Sequence, residues 1–113
     1  MFEGCTSLTD APELPATNVS GASYGNMFAG CTSLTGASVI SATSIGKQSC
    51  RNMFSGCTNL TTPPEIHFTS VDDYSCWNMF RNCTSLTGAP ILSATTVAPS
   101  CYMGMFMNCW YLV

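Results

Sequence analysis

Residues 27–35 read MFAGCTSLT, and the same phrase recurs at one fixed interval in both directions. It stands as MFEGCTSLT at 1–9, MFSGCTNLT at 53–61, MFRNCTSLT at 79–87 and, altered, MFMNCWYLV at 105–113. The interval is 26 residues every time, with no insertion or deletion. An unbroken period of this length predicts a solenoid in which each repeat stacks on its neighbours. The chain divides into repeats 1–26, 27–52, 53–78 and 79–104 and a partial repeat 105–113, forming one domain.

Counting positions from the opening Met exposes the core. Position 2 holds Phe2, Phe28, Phe54, Phe80 and Phe106; position 5 holds Cys5, Cys31, Cys57, Cys83 and Cys109; position 8 holds Leu8, Leu34, Leu60, Leu86 and Leu112. Positions 14 and 19 are aliphatic, with Leu14, Ile40, Ile66 and Leu92 in the first column and Val19, Ile45, Val71 and Val97 in the second. Stacking turns each column into a ladder of like side chains. Tyr24, Met27, Phe28 and Cys31 fall at i, i+3, i+4 and i+7, which predicts a short helix or helical turn. Position 4 holds only Gly4, Gly30, Gly56, Asn82 and Asn108, residues that tolerate the left-handed conformation of a helix end. The stretch from position 8 to 14 shows no helical face and predicts one short parallel strand per repeat, interrupted or edged by Pro12, Pro64 and Pro90. Thr17, Thr43, Thr69 and Thr95 predict a threonine ladder at a corner. The expected fold is therefore an α/β repeat, with one short strand and one short helix or helical turn in each 26 residues. No terminal cap is evident, and the segment reads as part of a longer array whose neighbouring repeats are its first partners.

Composition removes several classes of function. Hydrophobic residues make up 46% of the 113, enough for a core, but only 8% are charged. Lys47, Arg51 and Arg81 are the only cations, too few to track a phosphate backbone, so nucleic-acid binding is not expected. No apolar run approaches the roughly 20 residues of a membrane span. No signal peptide is visible in this segment.

The eight cysteines invite a chemical reading, but five occupy one column, and Cys50 and Cys76 share position 24. Buried thiols in ladders are the expectation, with Cys50–Cys76 the pair to watch for a disulfide. No C-x-x-C occurs and His67 is the only histidine, so neither a metal site nor a cofactor is expected. A nucleophile would lack a base anywhere but His67, whose column suggests an exposed corner, so an enzyme is not expected. Asp72 and Asp73 share a loop and read as solvated charge rather than a calcium site. Met27, Met53, Met79 and Met105 form a column with Met1, which reads as core filler. Asn18, Asn59 and Asn82 begin N-x-S/T sequons, meaningful only in a eukaryotic product.

The phrase MFxGCTSLTxAPxL followed by AT-x-V resembles the leucine-rich repeats of the bacterial surface-antigen (BspA-like) type over essentially the whole chain. The marks are the aromatic before Gly-Cys, the Leu three residues after Cys and the Pro-bearing strand. The resemblance implies a curved leucine-rich-repeat solenoid of extracellular or cell-surface location, used for adhesion or protein binding. The leucines depart from it: L-x-x-L-x-L is thinned to Leu8, Ala11 and Leu14 in the first repeat.

Residues that refuse to repeat mark the candidate binding surface. On the strand side these are Asp10 and Thr62 at position 10, and Glu13, Val39, Glu65 and Ile91 at position 13. On the helical side they are Arg51 and Trp77 at position 25, a pairing of types common among interface anchors. The expected function is a non-enzymatic array that binds a protein or host-surface ligand. The alternative is a structural spacer in a larger surface or phage tail-type protein.

Overall fold

In a computed structural model, residues 2–21, 23–37, 39–92, 94, 96–98 and 100–112 are described, together with the main chain alone at Thr96. Met1 and Thr95, members of two of the columns above, lie outside them. The molecule is small and strand-rich, with principal extents of 33 × 27 × 18 Å. Among the described residues eight two-residue strands form: β1 (Asp10–Ala11), β2 (Asn18–Val19), β3 (Gly36–Ala37), β4 (Val39–Ile40), β5 (Ser44–Ile45), β6 (Glu65–Ile66), β7 (Ser70–Val71) and β8 (Thr96–Val97).

Every strand pair is parallel and joins residues 26 apart, as in Asp10 with Gly36, Val39 with Glu65 and Ile45 with Val71. The periodic sequence thus bonds to itself one repeat away. The expectation of one strand per repeat is corrected: pairing occurs at two places, around positions 10–14 and again at 18–19. The longest sheet is the second, β2-β5-β7-β8, where a corner was expected. Its first two strands alternate an outer polar residue with an inner β-branched one: Asn18 is exposed and Val19 buried, Ser44 exposed and Ile45 buried. That pattern suits a half-buried strand. Around position 12, proline has no N–H to offer a ladder, and pairing there breaks into the two-residue pieces β1-β3 and β4-β6.

The expected helix is also corrected. No helix forms among the described residues, and consecutive turns occupy its place. Left-handed backbone recurs at every fourth residue: Gln48, Asn52 and Gly56 at φ 58°, 54° and 77°, then Tyr74, Asn78 and Asn82 at 54°, 55° and 62°. Such residues interrupt an α-helix, because an L side chain there crowds the following carbonyl. Their N–H groups alternate in use. Those of Met53, Ser55 and Cys57 close turns to Cys50, Asn52 and Phe54, whereas those of Cys50, Asn52, Phe54 and Gly56 donate to Ser75, Trp77, Met79 and Arg81 of the next repeat. The turn segment is therefore bonded to its neighbour much as a strand is.

The core lies between the turns and the strands. The rings of Phe2, Phe28, Phe54, Phe80 and Phe106 stack with centroids 5.3–5.7 Å apart. Beside them, the thiols of Cys31, Cys57, Cys83 and Cys109 donate to the carbonyls of Phe2, Phe28, Phe54 and Phe80 at 3.0–3.1 Å. Each cysteine thus bonds into the previous repeat, and all eight are free thiols. Threonine hydroxyls do the same at two columns, from Thr61 to Thr35 and from Thr69 to Thr43 at 3.2 and 3.1 Å.

Candidate functional site

The strand side carries six of the eight candidate residues. β1, β3 and the bridge from Gly36 to Thr62 bring Asp10 and Thr62 into one line. β4 and β6 set Val39 directly beside Glu65. Asp10, Glu13, Thr62 and Glu65 are all exposed, while Val39 is half-buried between its neighbours. The lines are two residues long because Pro12 and Pro64 stand next to them, so the acidic side chains project from short, proline-stiffened pieces.

Between the third and fourth repeats this face opens. No strand forms from Gly88 to Leu92, so β6 has β4 on one side and no ladder partner among the described residues on the other. The result is a groove of about 400 Å³ lined by Pro63, Pro64, Glu65, Ile66, His67, Ala89, Pro90 and Ile91. Its walls combine proline and isoleucine surface with the polar Glu65 and His67, and Ile91 is 82% exposed beside it. Glu65 sits at its rim with its carboxylate 2.8 Å from His67 Nε2. The groove thus presents rigid proline and isoleucine surface with one polar group that can pair with a partner's charge. Asp10 borders a second, smaller depression with Ala11, Gly36 and Ala37.

Arg51 and Trp77 lie on the turn side, away from these grooves. The Arg51 guanidinium carbon sits 4.6 Å from the centre of the Trp77 ring, and Tyr74 meets the same ring edge-on at 5.7 Å. The pair is half-buried and engaged with itself, a cation–π contact between consecutive repeats. Structure therefore separates the eight candidates: Glu65 and Ile91 meet in the larger groove, Asp10 borders the smaller, Glu13, Val39 and Thr62 flank them, and Arg51 with Trp77 stand apart.

His67 and the wall formed by Pro63, Pro64 and Pro90 had no place in the sequence-based candidate set. Pro64 and Pro90 were visible, with Pro12, as a near-column at position 12, but the groove depends on the fourth repeat failing to pair, which no single position announces.

Thiol chemistry is suppressed by burial. It pushes the Cys50 and Cys57 thiols up to about 12, from 9.0, and shifts Cys76 and Cys83 in the same direction. Neighbouring thiols in the column add to the effect on Cys57, Cys76 and Cys83. These thiols are held neutral rather than as nucleophiles, and those of Cys57 and Cys83 donate to the Phe28 and Phe54 carbonyls. Among the described residues no group of three His, Cys, Asp or Glu side chains is placed to hold a metal ion. Among the described residues no helix is long and apolar enough to cross a membrane.

Comparison with known proteins yields no match. No family, curated protein or solved structure corresponds to the chain. The geometry of the strand face and its groove is accordingly the ground for a functional reading.

Proposed function

We propose that the chain is a leucine-rich-repeat solenoid of BspA-like type. Its strand face acts, without catalysis, as a protein-binding or adhesion surface outside the cell. The observation that carries this reading is the groove beside β6, where a slot walled by prolines and isoleucines opens next to the exposed Glu65 carboxylate. Repeat arrays use broad faces of this kind for partners. A slot with apolar walls and one or two charges at its rim suits a peptide segment with an aliphatic side chain next to a basic one. The register of 26 residues in every pairing supports the solenoid part of the reading.

The uninterrupted Phe and Cys ladders favour a second reading, a rigid spacer that positions other modules. Surface plasmon resonance against host matrix proteins distinguishes the two. Glu65→Lys combined with Ile91→Asp should abolish binding, and Arg51→Ala with Trp77→Ala should leave it intact. Binding lost only in the second pair moves the site to the turn side. No binding by the unaltered chain sinks the adhesion reading in favour of the spacer.

A further inference from the structure

Within the turn segments the backbone repeats every four residues. The residue just before each left-handed one holds the same place in its turn. Its carbonyl accepts a hydrogen bond from the preceding coil: Arg51 from Asn26, Ser55 from Gly30, Trp77 from Asn52 and Arg81 from Gly56, at 2.8–2.9 Å. These residues therefore project in one direction. They are exposed or half-buried, whereas Cys50, Met53 and Phe54 between them are buried. The outward row of one coil is Lys47, Arg51 and Ser55, and that of the next is Asp73, Trp77 and Arg81.

This two-coil face holds every lysine and arginine of a chain whose net charge is −3. None of the three has an ion-pair partner among the described residues. Arg51 stands at the centre. The Trp77 ring holds its guanidinium in place, and its Nε is buried without a hydrogen-bond partner. A cation partly withdrawn from water and lacking a counter-ion gains more from an anion brought to it than a solvated one does, because screening is weaker there. The planar arginine fork receives a carboxylate through two parallel hydrogen bonds. Tryptophan, tyrosine and arginine are also the side chains that most often anchor interfaces, and Tyr74 stands edge-on to Trp77 here. The acids nearby narrow the partner further. Asp73 lies within the face and Asp72 adjoins it, so a polyanion spread over the whole surface, such as a sulfated polysaccharide, meets like charge. A carboxylate delivered at Arg51 by a peptide does not.

We infer that this turn face is a second interaction surface, and that its partner is an acidic peptide segment. One carboxylate of the segment seats on the Arg51 fork, while Lys47 and Arg81 draw further acidic residues to either side of the Arg51–Trp77 pair. The inference is independent of the adhesion reading, which concerns the strand side.

Titration of the 113-residue chain with a short oligoglutamate, followed by tryptophan fluorescence, tests it. Binding should weaken as salt rises. The emission change should vanish in Trp77→Phe, although Trp110 remains. Arg51→Gln should weaken binding by at least about tenfold, with an unchanged circular dichroism spectrum. Arg51→Lys should recover only part of the loss, since it restores the charge without the fork. Glu65→Gln, on the strand side, should leave the affinity unchanged. Absence of binding, binding that survives Arg51→Gln, or tighter binding of heparin than of oligoglutamate overturns the inference.

Discussion

The left-handed residues carry more of this fold than their size suggests. Gly30 sits at φ 72° with a virtual Cβ 3.8 Å from Gly4, so space is available and conformation is the constraint. Gly30→Ala should therefore cost about 1–2 kcal/mol through backbone strain. Gly30→Asn should cost less, because Asn82 and Asn108 already occupy the same position at φ 62° and 63°. Chemical denaturation of the two variants checks the order, and equal losses would contradict it. The buried thiols give a second prediction at this scale. Their folded values lie above the unfolded value of 9.0, up to about 12 for Cys50 and Cys57. The fold keeps them protonated while the unfolded chain ionises. Stability should be fully present below pH of about 9 and fall as pH rises from there towards 12. Thermal unfolding scans across that window test the sign. Iodoacetamide should modify exposed Cys5 well before Cys50 or Cys76.

Among the elements, the phenylalanine stack is the strongest connection between repeats. Phe54 is 1% exposed and stacks on both Phe28 and Phe80 at 5.3 and 5.4 Å. Phe54→Ala should destabilise by about 3–5 kcal/mol, whereas Phe2→Ala, with one ring neighbour and a half-buried side chain, should cost clearly less. Denaturant midpoints of the two variants decide it. The core columns could be read directly from the repeat, since a side chain that recurs at every interval has the same surroundings in every coil. The turn segment could not. Its spacing of Tyr24, Met27, Phe28 and Cys31 fits a helical face, yet turns with a left-handed residue at each fourth place bury the same side chains. The discriminating signal was a second restricted column, Asn26, Asn52, Asn78 and Gly104, four residues before the Gly and Asn column at position 4. Two such columns one turn apart are incompatible with a continuous helix. On the strand side, the variable Asp10, Glu13, Thr62 and Glu65 are exposed and Val39 is half-buried, but the groove arises from missing pairing, a property of two repeats together.

For the molecule as a whole, the register is the unit of stability. A single 26-residue repeat leaves its ring, thiol and threonine partners behind, since all of these lie in adjacent coils. As a peptide it should give the circular dichroism spectrum of an unfolded chain. Deleting residues 27–52 removes one whole period and should leave a shorter folded array, whereas deleting 27–39 shifts every later column out of line and should prevent folding. A folded product from the second deletion would show that the columns do not need to align. The ladders also define how the protein yields to tension. A coil pulled from one end is held to the remainder by one layer of bonds, and it releases as a unit. Each release frees 26 residues, roughly 90 Å of contour at about 3.4 Å per residue. Stretched between tethers, the protein would lengthen in equal steps, a small ratcheted spring with the sequence period as its pitch.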